Sequence, residues 1–271
     1  MPAPPVILSI AGYDPSSGAG ITADIKTAAA LECYAATCIT ALTVQSTQGV
    51  FGVRPVEPEL VARTLNTLAD DLEIVAIRIG MLGSGAVAGV VSGFLASRRL
   101  PNVVLDPVIQ SSSGAALLDE IGLEMLRGLL PLSDVVTPNV GEAAELAMSP
   151  PLPVESAWDK ALPWLRDAAA RLHDLGARNV VITGGHLTPA NDFLSTRGPD
   201  GSREEIIEGE HIESRSTHGT GCAFATALAC RLAAGDALPQ AVRAAKRHVT
   251  RAIRSAYPLG KGVGPLNHFP E

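Results

Sequence analysis

Short apolar runs rich in β-branched residues, at 6–10, 36–44, 76–79, 103–105, 135–136 and 180–182, alternate with longer stretches of helical pattern. The helical stretches fall at 21–31, 58–72, 86–98, 120–129, 140–147 and 158–175, and two more, 221–234 and 238–256, close the chain. No other feature restricts the fold so tightly. Runs that are apolar throughout, without polar alternation, belong to strands buried on both faces. Strand–helix alternation of this kind builds a three-layer α/β architecture, a mostly parallel sheet flanked by helices on both faces. The segment "RGPDGSREEIIEGEHIES" after Thr196 departs from the pattern. Its Pro-Asp-Gly is a turn signal between two short strands, which predicts a hairpin adding a short antiparallel edge. The proline-rich "MSPPLPVES", 148–156, reads as an excursion between helices and not as a linker, so residues 1–271 are expected to form one domain.

Hydrophobic residues make up 46% of the chain, ample for a core of that size. The net charge is -7 and no block of Lys or Arg is long enough to track a phosphate backbone, so no nucleic-acid partner is expected. The start, "MPAPPVILSIAG", lacks the basic region of a signal peptide, and no apolar run reaches membrane length. Four cysteines, Cys33, Cys38, Cys222 and Cys230, show no CxxC pair and no zinc-type spacing. Reduced thiols in a cytoplasmic protein without a membrane partner are the expectation.

In an open α/β sheet, ligands bind beyond the carboxyl ends of the strands. Here those ends carry "AGYDPSSGAG" (11–20), "VQSTQG" (44–49), "IGML" (79–82), "LDPVIQSSSG" (105–114), "TPNVGE" (137–142) and "TGGH" (183–186). One such loop is an ordinary turn; six of them leading to "HGTGC" (218–222) predict a binding edge. Neither common nucleotide motif is present, since "GYDPSSGA" is not followed by Lys-Ser/Thr and no GxGxxG follows the first strand. "HGTGC" opens a helix, where backbone N–H groups point outward unpaired and the macrodipole favours an anion. Its glycines let the backbone approach a ligand closely. The residues alone leave Cys222 open as a catalytic group, a redox group or a small packing residue. In "TPNVGEAAEL", Asn139 and Glu142 have the spacing of a capping pair. Beside an anion site the same pair can hold a hydrated magnesium ion, with Asp106 and Asp14 as further carboxylates. His186 and His218 read as loop hydrogen-bonders.

Taken in order, "AGYDPSSGAGITADIKT", "VQSTQGV", "RIGML", "VVLDPV", "TPNVGEAAEL", "GGH", "STHGTGCAFATALA" and the tail "GKGVGPLNHF" resemble the motifs of hydroxymethylpyrimidine/phosphomethylpyrimidine kinases, of the ribokinase-like superfamily, over residues 6–269. Pyridoxine/pyridoxal kinases share many of them. The resemblance implies ATP-dependent phosphorylation of the hydroxymethyl group of 4-amino-5-hydroxymethyl-2-methylpyrimidine and then of its monophosphate, in thiamine biosynthesis. Pyridoxine or pyridoxal is the alternative substrate. It also implies ATP and Mg2+ as cofactors and a homodimer. Gly219, Thr220 and Gly221 would form the anion hole, and Cys222 would accept the proton of the substrate hydroxyl. Gln45 would bond the pyrimidine edge, with Gly12, Asp24, Met81 and Val108 lining the pocket. Asn139 and Glu142 would serve magnesium and phosphate, with Asp106 as a second metal carboxylate.

A thiol at a helix start is expected to have a lowered pKa. Thr183 stands where the family usually has Lys, which removes a positive charge from the phosphate site. Lys246 is the candidate substitute, and the first phosphorylation is expected to be retained with the second weakened. Tyr13 and Ser17 replace a usual small hydroxyl and a Gly. Two rival readings are a thiol-nucleophile hydrolase built on Cys222, which would need a His base, and a non-catalytic sensor of the vitamin precursor.

Overall fold

The computed structural model describes residues 3–111, 114–152, 157–199 and 201–270. Along the chain it runs β1 (Val6–Tyr13), α1 (Gly20–Ala30), β2 (Tyr34–Ser46), β3 (Gly49–Pro55), α2 (Pro58–Asp71), β4 (Ile74–Ile79), α3 (Gly85–Arg98), β5 (Val103–Leu105) and α4 (Glu120–Gly128). It continues with β6 (Val135–Val136), α5 (Val140–Leu146), α6 (Trp158–Asp174), β7 (Asn179–Ile182), β8 (Asp192–Gly198), β9 (Gly201–Ile207), α7 (Thr220–Ala233) and α8 (Leu238–Arg254). Among the described residues the strands form one sheet in the order β3-β2-β1-β4-β5-β6-β7-β8-β9. The inner strands β2 to β7 pair in parallel, as their apolar runs require.

Alternate residues of each strand point to opposite faces and meet different helices. Ile7, Ala76, Val104, Val135 and Val181 pack under α7 and α8 with Ala28 of α1. Leu8, Ile10, Ile77, Ile79, Leu105, Val136 and Val180 pack against α2, α3, α4, α5 and α6 on the other face. Three layers result, as expected. The chain steps from β1 outward to β2 and later returns to place β4 on the other side of β1. That reversal opens a crevice at the carboxyl ends of β1 and β4, the usual ligand position in such sheets.

Both sheet edges are antiparallel, although only one was expected. The hairpin of β8 and β9 pairs Gly198 with Gly201; Asp200 of its Pro-Asp-Gly turn lies outside the described residues, as do 153–156 of the proline-rich excursion and 112–113 of the 105–114 loop. The second edge is β3, "GVFGVRP", paired with β2 from Ser46↔Gly49 to Ala41↔Pro55. Two glycines, an arginine and a proline gave that segment no strand signature. Pairing with β2, which extends beyond its predicted 36–44, makes it a strand.

One charge lies within this apolar sheet. Arg78 of β4 is 0% exposed, its Nη2 donates to Asp106 Oδ2 at 2.6 Å, and its Nη1 is 3.2 Å from Asp24 Oδ2. Asp24, on α1, also accepts from Ser9 Oγ (2.5 Å) and Thr226 Oγ1 (2.8 Å) and is itself 0% exposed. Asp24 was expected to line the substrate pocket. Its carboxylate instead lies beneath the site, wholly occupied by protein donors. Burial alone would lower the Arg78 pKa, but the neighbouring carboxylates, Asp24 first and also Asp106, outweigh it and hold the guanidinium protonated. Removing one member of such a set leaves buried charge uncompensated. Arg78→Met is expected to cost about 3–5 kcal/mol in urea unfolding; a loss under about 1 kcal/mol would show that the two carboxylates do not depend on it.

Candidate active site

The loop after β1 folds around Asp14. Its carboxylate accepts from Ser16 N (2.8 Å), Ser16 Oγ (2.7 Å), Gly18 N (3.2 Å), Ala19 N (2.9 Å) and His218 Nε2 (2.9 Å). Burial would raise its pKa, yet the bonds from His218 and Ser16 hold it below the ordinary carboxylate value. Ser17 sits at φ 60°, in the left-handed region that favours glycine.

Against this loop lies the start of α7. Gly219 caps the helix at φ 86°, and a β-carbon on it would fall 1.9 Å from Gly18 O, so both conformation and space demand glycine. The first-turn N–H groups of Thr220, Gly221 and Cys222 have no intrahelical acceptor, and that of Thr220 bonds back to Thr217 O at 3.4 Å, so the turn has the donors that can receive an anion. The tail straps this turn in place: His218 N donates to Gly264 O (3.0 Å) and Val263 N to Thr47 O (2.8 Å).

Cys222 is half-buried at the end of the turn. Burial pushes its thiol up to about 11, with Asp106 and Asp24 adding to the rise, against the pull of Arg78 and a bond from the Gly20 backbone N–H. The expectation of a lowered thiol pKa is therefore overturned. Burial is the main cause, the two carboxylates add to it, and the resting group is a neutral thiol.

The pocket wall forms where the end of β4 meets the neighbouring loops. Met81 packs with Ala41 and Leu117, and Val108, Val50 and Val53 close around them. Gly12 leaves room for Met81: a β-carbon there would lie 2.8 Å from the Met81 sulfur. Gly12, Met81 and Val108 lie together, and Leu117, Val50 and Val53 join them through tertiary folding. At the end of β2, the Gln45 amide lies 3.1 Å from His218 Nε2 and 3.1 Å from Thr43 Oγ1. The reading of His218 as a loop hydrogen-bonder holds, but its partners are a predicted substrate residue and the loop carboxylate.

Asn139 and Glu142 make a reciprocal capping box at the start of α5: Asn139 N donates to Glu142 Oε2 (2.8 Å) and Glu142 N to Asn139 Oδ1 (3.0 Å). Burial raises Glu142 well above the ordinary value, and the nearby charge of Asp106 adds to it. Asp106 is itself raised to about 6, by burial first and by Asp24, against Arg78. Protein donors already engage both groups, the Asn139 and Ile109 backbone N–H on Glu142 and the Arg78 guanidinium on Asp106. Carboxylate oxygens are hard donors, and each accepts more than one partner. Among the described residues no group of three or more His, Cys, Asp or Glu could hold a metal ion. Two oxygens suit a magnesium ion that takes its other ligands from phosphates and water.

Thr183 ends β7 beside Asn139, its N–H donating to Pro138 O at 2.9 Å. Lys246 does not replace the missing lysine there. Its Nζ donates to Asp192 Oδ1 and Ala190 O, both at 2.7 Å, so its charge is neutralised by a buried carboxylate. Asp192 also accepts from Gly184 N at 3.0 Å, which makes Lys246 a brace for the Gly184–Gly185 turn.

Three layers, a crevice at the strand reversal and a glycine-capped helix start at that edge have the build of a ribokinase-like phosphotransferase. A family model described as phosphomethylpyrimidine kinase matches residues 14–267. The chain belongs to that family. It is 42% identical to the hydroxymethylpyrimidine/phosphomethylpyrimidine kinase of Streptomyces coelicolor, over 98% of this chain and 94% of that one. It is also 42% identical to the thiamine biosynthesis bifunctional protein ThiED of Geobacter sulfurreducens, over 97% of this chain but 52% of that protein, so it spans about half that relative's length. An ADP complex of Bacillus subtilis pyridoxal kinase superposes with a TM-score of 0.85 at 34% identity, covering 97% of each chain.

If Cys222 must lose its proton before it can accept one, the thiolate fraction grows with pH up to about 11. The expected result is a kcat/KM that keeps rising between about pH 6.5 and 9.5, by up to about tenfold per unit. A flat profile over that range would remove Cys222 as the base.

Proposed function

We propose that this protein is an ATP-dependent kinase, acting as one ribokinase-like domain, that phosphorylates the hydroxymethyl group of 4-amino-5-hydroxymethyl-2-methylpyrimidine. The observation that carries the reading is the pairing of the Gly219–Cys222 turn with a small apolar pocket ended by the Gln45 amide. An amide offers a donor and an acceptor side by side, the complement of an aminopyrimidine edge. Gln45 holds the ring, Met81 and Val108 enclose it, and Gly12 gives backbone access. The substrate oxygen bonds to the γ-phosphorus of ATP, the bond from that phosphorus to the β-phosphate oxygen breaks and ADP leaves, and the hydroxyl proton passes to the Cys222 sulfur in molecules where the thiol has already lost its own proton. The N–H groups of the turn stabilise the charge on the transferring phosphoryl group, and such positioning and charge stabilisation carry most of phosphoryl-transfer catalysis. Asp106 and Glu142 would hold Mg2+, which neutralises phosphate charge when bound; Asn139 and Thr183 lie beside them toward the nucleotide phosphates. Arg78 and Asp24 act from beneath, and Lys246 through the Gly184–Gly185 turn.

Thr183 supplies no charge and Lys246 is paired with Asp192, so the second phosphorylation, on a more anionic substrate, is proposed to be weak. A hydrolase finds no support, because His218 Nε2 is engaged with Asp14 and Gln45. Pyridoxal kinase activity is the second reading, favoured by the likeness to the Bacillus subtilis enzyme. Among the described residues no helix is long and apolar enough to cross a membrane, and the proposed location is the cytoplasm.

Side-by-side turnover of the pyrimidine and pyridoxal with magnesium-ATP is expected to favour the pyrimidine and to yield mainly the monophosphate. Preference for pyridoxal would exchange the two readings, and no transfer from ATP to either would leave a sensor. Cys222→Ala is expected to lower kcat by roughly 10²- to 10⁴-fold with little change in KM, since it removes a proton acceptor and not a pocket wall.

We also propose a homodimer. Leu42, Val44 and Phe51 on the β2–β3 hairpin are exposed to 49%, 66% and 70%, an apolar surface suited to a second copy. Sedimentation equilibrium should give twice the chain mass, and Phe51→Glu should shift it toward the monomer; a monomeric native protein would end the proposal.

A further inference from the structure

The structure assigns to His218 the role of setting which way Gln45 presents its amide, and so of selecting an aminopyrimidine ring over a pyridine; the second half of that assignment rests on the kinase reading above. The orientation follows from counting protons. The Gln45 amide lies with its nitrogen toward His218 Nε2 and its oxygen toward Thr43 Oγ1, each at 3.1 Å. Thr43 Oγ1 is also 2.9 Å from Tyr13 O, and that carbonyl can only accept. The single hydroxyl proton of Thr43 therefore goes to Tyr13, and toward Gln45 the hydroxyl can only accept. On the other side, His218 Nε2 faces Asp14 Oδ2 at 2.9 Å. If Nε2 carries a proton, it donates to Asp14 and meets the Gln45 N–H donor against donor. If Nε2 is bare, it meets the Asp14 carboxylate acceptor against acceptor.

Turning the amide by half a rotation removes both conflicts. Oxygen and nitrogen of an amide are told apart only by their partners, so the turn is free of steric consequence. His218 Nε2–H then donates to Asp14 Oδ2 and Gln45 Oε1 together, a Gln45 Nε2–H donates to Thr43 Oγ1, and Thr43 donates to Tyr13 O. Every group is satisfied, which a part-buried polar chain requires. Asp14 fixes the His218 proton, and His218 fixes the amide. The ring itself is held by packing: Gly18 faces it without a β-carbon, and one there would come within 2.4 Å of Cδ2.

This order puts the Gln45 oxygen on the side of His218, whose neighbour Gly219 begins the anion turn, and the amide N–H on the far side. In the aminopyrimidine, the amino donor is on the carbon next to the one bearing the hydroxymethyl group, and the acceptor ring nitrogen follows it. With the hydroxymethyl group at the turn, the amino group meets the Gln45 oxygen and the ring nitrogen meets the amide N–H. In pyridoxal, the position beside the hydroxymethyl-bearing carbon on its ring-nitrogen side is a C–H. The Gln45 oxygen would then receive no donor from the ring and keep only the His218 N–H that it shares with Asp14, which disfavours that ring. His218 and Thr43 are positioning residues here, acting through Gln45.

The test compares kcat and KM for the aminopyrimidine and for its analogue lacking only the amino group. The native protein is expected to prefer the amino compound by about 10- to 100-fold, the effect of one buried unpaired acceptor. His218→Leu and Thr43→Val should each raise KM for the amino compound more than they lower kcat, and reduce the preference to within about threefold, while Thr43→Ser should keep it. Undiminished preference in both His218→Leu and Thr43→Val overturns the inference. Neutron diffraction on the native protein reads the orientation directly: a proton on His218 Nε2 and amide deuterons toward Thr43 support it, and the reverse overturns it. If the native protein phosphorylates neither compound, the kinase reading falls, and the neutron result still decides the hydrogen-bond order.

Discussion

The guanidinium of Arg78 stands fully buried where β1, β4 and β5 pass beneath α7, and the site above it is arranged around its charge. Asp24 from α1 and Asp106 from the end of β5 can be ionised there only because that cation lies between them. Gly80 makes the space, since a β-carbon at that position would fall 1.9 Å from Arg78 Nη1. Through Asp24 and its bond to Thr226, the same charge ties α1 to α7 directly behind the anion turn. Through Asp106, it controls how much negative charge faces Gly221 and Cys222. A buried ion cluster is a weak source of net stability, but it allows one arrangement of its three elements and penalises the others.

Above this cluster, the site is made by loops that hold one another. The Asp14 loop packs on the Gly219 turn, the tail crosses behind His218, and Gln45 reaches back from β2 to the same histidine. Ligand-binding groups come from the two ends of the chain and the middle. Their relative positions therefore depend on hydrogen bonds such as His218–Asp14, between residues 204 apart. The thiol illustrates the consequence. A local rule about helix starts points to an acidic Cys222, and burial, reinforced by carboxylates brought from α1 and the end of β5, reverses the sign.

Much of the fold was legible because its causes are local. Apolar runs marked the buried strands, periodicity marked the helices within a few residues, and the Pro-Asp-Gly turn marked one edge hairpin. Strand β3 was not legible, since its residues gain strand structure by pairing with β2 and not by their own burial. In the site, Gly219 was readable as a close approach, whereas the contact of Gly12 with Met81 was not. Arg78 could have drawn notice as an arginine inside an otherwise apolar strand, because a charge so placed needs partners. Which carboxylates those are, and that they include Asp24, could not be read from one dimension.

By itself, then, the amino-acid order determined the three-layer sheet, the edge where the glycine-rich and polar loops collect and the glycine turn that opens α7, because backbone conformation and burial pattern are properties of neighbouring residues. The tertiary structure alone decided the charge states. It neutralised Lys246 with Asp192, moved Asp24 beneath the pocket, raised the Cys222 thiol and joined His218 to Gln45. Electrostatics and hydrogen bonding act over a few ångströms of space irrespective of separation along the chain, and only the folded arrangement says which groups lie within that reach.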